Sequence, residues 1–184
     1  MVSRYERTHA ALQAAALRLM TQRGFDDVTV AEIAAAAGVT EMTAFRHFAV
    51  KEDLIVGDPY DPLIAGAIAQ QPAELPALTR AARGLAAAWD SLDEPDMTET
   101  RLRVRLAATT PRLKARTAVA NEVTERAVAD ALVEDGTDST VARIAAAACL
   151  AAITAALFDW GLDDSAGPLG ARVRLALGVL EGAS

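Results

Sequence analysis

Between Thr40 and His47 the chain places two hydroxyls, a carboxylate, a thioether, a guanidinium and an imidazole within eight residues. Groups of these kinds recognise the phosphates and base edges of a nucleic acid. Thr40 can cap a helix and then meet a phosphate. Glu41 can accept from a cytosine amino group or simply favour the positive end of a helix dipole. Met42 offers its apolar tip to a thymine methyl, or is a plain surface methionine. Thr43 can touch a phosphate or a base edge. Arg46 follows Met42 by one helical turn and reaches phosphate or guanine, or stays solvated. Lys51 falls where a new helix opens, a place that favours phosphate. Thr29 holds the equivalent place on an earlier helix.

Other chemistry is poorly represented. The two histidines, His9 and His47, both fall in the first fifty residues, and no His/Cys/Asp cluster has metal-ligand spacing. There is no glycine-rich phosphate loop and no G-x-S-x-G. Glu122 and Glu125 lie one turn apart beside Arg126 and read as a solvated face. The single cysteine, Cys149, sits in an apolar run, so it forms no intrachain disulfide and reads as a small buried hydrophobe. These features point away from an enzyme and imply neither metal nor cofactor.

The elements that must position the Thr40–His47 groups are marked by caps. Ser3 with Glu6 forms a capping box for a first helix that Gly24 ends. Thr29 with Glu32 opens a second helix, Val30 to Ala37, stopped by Gly38. Thr40 caps a third, Glu41 to Phe48, and Lys51 and Glu52 open a fourth. Two short helices joined by a tight turn at Gly38 make a helix-turn-helix, with Gly38 supplying the positive φ. Ile33, Ala34, Ala37, Val39 and Phe45 form the apolar set between the two helices, and Phe45 and Phe48 read as core. The breaker Asp58-Pro59-Tyr60-Asp61-Pro62 separates a head, residues 1–57, from a body, residues 58–184. The body predicts helices over 61–70, 75–92, 95–109, 111–135, 138–161 and 167–181, with one of its breaks at Glu94-Pro95.

Length and composition agree with this division. The 184 residues are 52% hydrophobic and 4% aromatic, with alanine prominent. Alanine is the best helix former, and no alternating β-branched run appears. The expected fold is all-α: a three-helix, helix-turn-helix head plus a helical-bundle domain for ligand binding and dimerisation. The formal charge is −7, of which residues 1–53 carry −1 and the remainder −6. Charge alone therefore does not suggest nucleic acid, although an acidic body would turn the head toward phosphates. The N-terminus lacks the apolar stretch of a signal peptide. The longest uncharged run, 15 residues between Arg143 and Asp159, is shorter than a membrane span needs. A cytoplasmic protein with no membrane partner is expected.

The head resembles the TetR family of one-component repressors. The resemblance rests on Ala34, Ala37, Gly38, Val39, Thr40, Thr43, Ala44, Phe45, Arg46, His47 and Phe48, then Lys51, Glu52 and Leu54. Upstream, Arg23-Gly24-Phe25 and Thr29-Val30 also match. In the body, the Asp58–Pro62 segment and Thr110-Pro111-Arg112-Leu113 look like an actinobacterial subgroup. The resemblance assigns His47 to a phosphate. It also marks a departure: position 45 is usually tyrosine, whose hydroxyl reaches a phosphate, and Phe45 has none. That loss should cost about 0.5–1.5 kcal/mol unless a neighbour substitutes.

The resemblance implies a DNA-binding regulator with Thr29, Thr40, Glu41, Met42, Thr43, Arg46, His47 and Lys51 at the double-stranded DNA operator. It further implies a homodimer joined through its last two helices. Their candidate faces are Ile144, Ala148, Ala151 and Ala155 on one, and Val173, Leu177 and Leu180 on the other, with internal core the competing role. A small apolar or amphipathic effector would release a palindromic operator. Trp89, Met97, Arg105 and Phe158 are the candidate lining of its site, with core packing the competing role for the bulky ones. Arg101, Arg103 and Arg105 alternate around one helix, so at most one or two could meet an acidic ligand, and Arg112, Lys114 and Arg116 behave alike. The alternatives are a helical small-molecule-binding protein or enzyme without DNA binding, and a dimer that binds DNA with no effector.

Overall fold

The computed structural model describes residues 3–57, 61–91 and 97–182, leaving out the side chains of 61–63. The Asp58-Pro59-Tyr60 part of the breaker and the Glu94-Pro95 break lie outside the described residues. The elements are all helical: α1 (Arg4–Arg23), α2 (Val30–Ala36), α3 (Glu41–His47), α4 (Asp53–Val56), α5 (Asp61–Ala69), α6 (Ala77–Asp90), α7 (Met97–Thr109), α8 (Pro111–Glu134), α9 (Ser139–Leu162) and α10 (Leu169–Gly182). The all-α fold expected from composition and periodicity is the fold observed.

The chain forms two compact units. One comprises residues 1–57 and 98–117, the other residues 58–97 and 118–184. In the first, α1 packs on α2 and α4, and α2 on α3. Leu12, Ala16, Val28, Ile33, Ala34 and Leu54 are its fully buried centre. The first turns of α8 belong to this unit through ion pairs. Arg116 Nε donates to Asp53 Oδ1 at 2.5 Å, and Arg112 lies 3.5 Å from Asp26 and 3.4 Å from Glu52. The Arg112 guanidinium also stands 5.8 Å from the Phe25 ring centroid.

This grouping changes the charge account. Residues 98–117 contribute six Arg or Lys against the single Glu99, so the first unit carries +4 where residues 1–57 alone carry −1. The second unit carries the remaining −11. A division by position along the chain conceals a basic unit and a strongly acidic one. Arg112 and Arg116, read in the sequence as possible partners of an acidic ligand, instead pair with carboxylates of the head.

In the second unit α6 packs on α5, α9 and α10, and α9 on α10. Asp138 caps α9, its carboxylate accepting from Thr140 and Val141 N–H at 2.9 and 3.1 Å. Trp160 is fully buried and donates from Nε1 to the Gly167 carbonyl at 2.9 Å, so it is a core residue. Arg80 is also buried; its guanidinium donates to Asp135, while its Nε is enclosed without a partner. At the α5–α6 crossing Gly84 has no room for a side chain: a Cβ there would lie 2.5 Å from Ile68 Cγ1 and 2.7 Å from Ile68 Cα.

Among the described residues, α9 and α10 each carry an uncovered apolar face. On α9, Val141 and Ile144 are 49% and 64% exposed, and Ala151 and Ala155 are open beside them. On α10 the open face is Leu175 and Val179, at 59% and 64%. Val173 and Leu177, the expected docking face of α10, are instead buried in this unit's own core. An apolar helix with residues on both sides gives two faces at helical spacing, and the one packed on α6 took these. α9 is long and apolar enough to cross a membrane by length and composition, despite its short uncharged run, and 28% of its most apolar stretch is buried.

Candidate nucleic-acid interface

Two caps build the interface. Thr29 accepts from Glu32 N–H at 3.2 Å, while Glu32 takes the Thr29 N–H at 2.8 Å and the Thr29 hydroxyl at 2.9 Å. Arg23 Nη1 closes this box on Glu32 at 2.7 Å. The backbone and side-chain bonds from Thr29, with that from Arg23, hold the Glu32 carboxyl at about 2, well below the usual range. A depressed carboxyl contributes stability above its unfolded pKa and loses it as pH falls through the folded value. The stability gap between the protein and Glu32→Gln should therefore be widest near neutrality and close as pH falls from about 4.5 toward 2. Thermal melts of both proteins across that range test it; a gap that widens in acid would reject the capping role.

Gly38, at φ 72°, turns the chain from α2 to α3. Thr40 then caps α3, its oxygen accepting from Thr43 N–H at 3.2 Å and hydrogen-bonded to the Thr43 hydroxyl at 2.9 Å. One side of α3 is seated by Ala44, which is 1% exposed, and by Phe48 just beyond it at 6%. The opposite side is open. Glu41 and Arg46 are exposed, Met42 is 66% exposed, and Phe45 is 49% exposed. Phe45 is therefore not core. Ala44 fills the close approach to α2, and a helix this short presents the next residue outward.

His47 is half-buried. Its ring stacks on Tyr5 of α1, with centroids 4.2 Å apart and planes at 26°. His9, four residues along α1, stands 5.8 Å from His47 and packs on Phe48 at 4.2 Å. The Nδ1 atoms of both histidines are enclosed without a hydrogen-bond partner. Burial, then the nearby His47, pushes the His9 pKa down. Lys51 lies in the turn before α4 rather than within it. Its Nζ donates to the Phe25 carbonyl at 2.5 Å and sits 4.3 Å above the Phe25 ring. Burial pushes its pKa down, with Asp26 opposing. An ammonium has three donors, so two N–H remain.

The structure thus gathers Thr40, Glu41, Met42, Thr43, Arg46 and His47 on or beside one short helix. Thr29 and Lys51 are tied into the same unit by their own hydrogen bonds. Sequence reasoning missed Tyr5, whose spacing from His9 puts the two rings on one face of α1. It also missed the cations of residues 101–116, six in sixteen positions. The candidate effector residues are more scattered. Trp89 on α6, Met97 at the start of α7 and Phe158 on α9 are half-buried in the second unit, while Arg105 on α7 falls in the first.

Residues 12–56 match the bacterial regulatory proteins of the tetR family, and residues 73–183, more than half the chain, match the MftR C-terminal domain. The chain belongs to the TetR family. The family it matches is one of bacterial regulatory proteins. Over 102 residues it is 33% identical to a protein named as the mycofactocin biosynthesis transcriptional regulator MftR, of Mycobacterium tuberculosis. The match takes in 54% of this chain and 51% of that protein, so the chain spans about half the length of this curated relative. Among solved structures, SmeT in complex with triclosan is 18% identical, covers 96% of this chain and 90% of its own, and has a TM-score of 0.63. SmeT is the repressor of a multidrug efflux pump of Stenotrophomonas maltophilia. A TetR-family regulator from Streptomyces coelicolor is 19% identical, covers 96% and 93%, and has a TM-score of 0.58. At these identities the likeness shows the fold, a helix-turn-helix head followed by a helical domain.

Proposed function

We propose that the protein is a DNA-binding transcription regulator that acts as a homodimer on a palindromic operator. The observation that carries this reading is the open side of α3, where Glu41, Met42 and Arg46 stand exposed on a helix seated by Ala44 and Phe48. The +4 charge of the unit holding α3 supports it. In a dimer the two α3 helices enter successive major grooves, roughly 34–36 Å apart for half-sites one turn apart. Glu41, Met42 and Arg46 read bases, and Thr29, Thr40, Thr43, His47 and Lys51 hold register on phosphates.

The open faces of α9 and α10 pair with those of a second copy. This covers the apolar stretch of α9 with protein rather than lipid. The second unit takes a small apolar or amphipathic effector near Trp89, Met97 and Phe158, and occupancy releases the operator, which makes the protein a repressor. The triclosan complex of SmeT, a protein of the same fold, supports an effector of this kind.

The test is binding to a duplex from upstream of the protein's own gene, titrated with salt. Affinity should fall steeply as salt rises, because phosphate contacts release counterions. A response flat in salt would reject the reading. Met42→Ala should change preference at one base pair of each half-site while leaving the salt slope unaltered.

A further inference from the structure

We infer that Tyr5 belongs to the DNA-contacting surface, its phenol hydroxyl donating to a backbone phosphate and its ring fixing the His47 imidazole beside it. The inference rests on the proposed DNA binding and assigns a contact outside the helix-turn-helix. Tyr5 is 58% exposed, an unusual setting for a ring with no task at the surface. Its hydroxyl makes no hydrogen bond among the described residues, so the donor is open. Buried or interfacial tyrosines use the ring for packing and keep the hydroxyl for a polar partner.

The neighbours indicate which partner. Tyr5 stacks at 4.2 Å on His47, the residue directly after the exposed Arg46. His47 Nδ1 is enclosed, so any contact it makes with a phosphate falls to Nε2. Stacking on the phenol ring limits rotation of the imidazole. Arg4 and Arg7 flank Tyr5 and are exposed, whereas the one carboxylate among them, Glu6, is held at the helix end by the Ser3 N–H at 2.6 Å. A basic, hydroxyl-bearing helix start beside the end of α3 suits a phosphate. Phe45 lacks a hydroxyl on α3, and α1 supplies one at the residue stacked two positions further along.

Tyr5→Phe keeps the ring and removes only the donor. It should bind both the upstream duplex and an unrelated duplex of equal length about three- to tenfold more weakly, since phosphate contacts carry no sequence information. A neutral donor releases no counterion, so the two proteins should give parallel lines of affinity against salt. Melting temperature should be unchanged in Tyr5→Phe. Tyr5→Ala should weaken binding further, by freeing His47. If the wild-type protein binds in a salt-dependent way and Tyr5→Phe binds as well, the inference is wrong and the regulator reading stands. If the wild-type protein shows no salt-dependent binding to either duplex, both fail.

Discussion

Ile144→Asp combined with Val179→Asp leaves the protein monomeric at micromolar concentration. Both side chains are 64% exposed in the single chain, on the helices whose open sides are apolar. In the proposed dimer each would be desolvated, and a fully buried Ile or Val contributes about 1.5–3 kcal/mol. The carboxylates would be buried without partners, and twofold symmetry places each change in the interface twice. A loss of about 4 kcal/mol corresponds to roughly a thousandfold weaker association. Sedimentation velocity reads the outcome directly. Operator affinity should fall with it, because each head then binds its half-site alone. Unchanged helicity would show that the subunit still folds, since neither residue contributes to its core. An intact dimer from the double variant would remove α9 and α10 as the interface. By contrast, Val173 and Leu177 are 1% and 2% exposed, and changes there would unfold the unit rather than separate two of them.

Gly84→Ala should lower the melting temperature sharply. The added Cβ would stand 2.5 Å from Ile68 Cγ1, and the further contacts at 2.7 and 3.0 Å are to Ile68 backbone atoms. A side-chain tip can rotate away, but a helix backbone must be displaced with everything packed on it. Overpacking of this kind costs about 3 kcal/mol at its upper range, or ~6–12 °C for a chain of this size. Gly66, on α5 two residues before Ile68, has nothing within 4 Å of a built Cβ. Gly66→Ala should stabilise by about 0.5–1 kcal/mol, because alanine favours the helix. Calorimetry of the two variants compares them, and equal melting temperatures would show that α5 and α6 are not in close contact.

The helix-turn-helix was legible because its signals are local. Ser3 with Glu6, Thr29 with Glu32, and Thr40 each bond to a backbone three residues away, and Gly24 and Gly38 adopt the positive φ their positions require. Such bonds are fixed by neighbours in the chain, so the residue types announce them. Phe45 was misread because a seven-residue helix is too short for its apolar pattern to choose a side. The open face of α10 was misread for a related reason: Val173 and Leu177 alternate with Leu175 and Val179, and only tertiary packing decides which pair turns inward. The charge account failed because it followed the order of the chain. The cations of residues 101–116 lie more than fifty residues beyond α3 in sequence, yet they belong to the same compact unit. Lys51 shows the limit of a cap argument. A lysine expected at a helix start instead reaches back to the carbonyl of Phe25.

Cys149 has one more consequence. It is the only thiol in the chain, it is wholly enclosed, and burial pushes its pKa up to about 12. A thiol in that state reacts with an alkylating reagent only when α9 opens, because the reactive species is the solvated thiolate. Its labelling rate is therefore a clock for local opening of the second unit, at a single known position and with no engineered probe. A small molecule that binds the closed form slows that clock in proportion to its occupancy. The unmodified protein can thus report a bound small molecule before any operator is known.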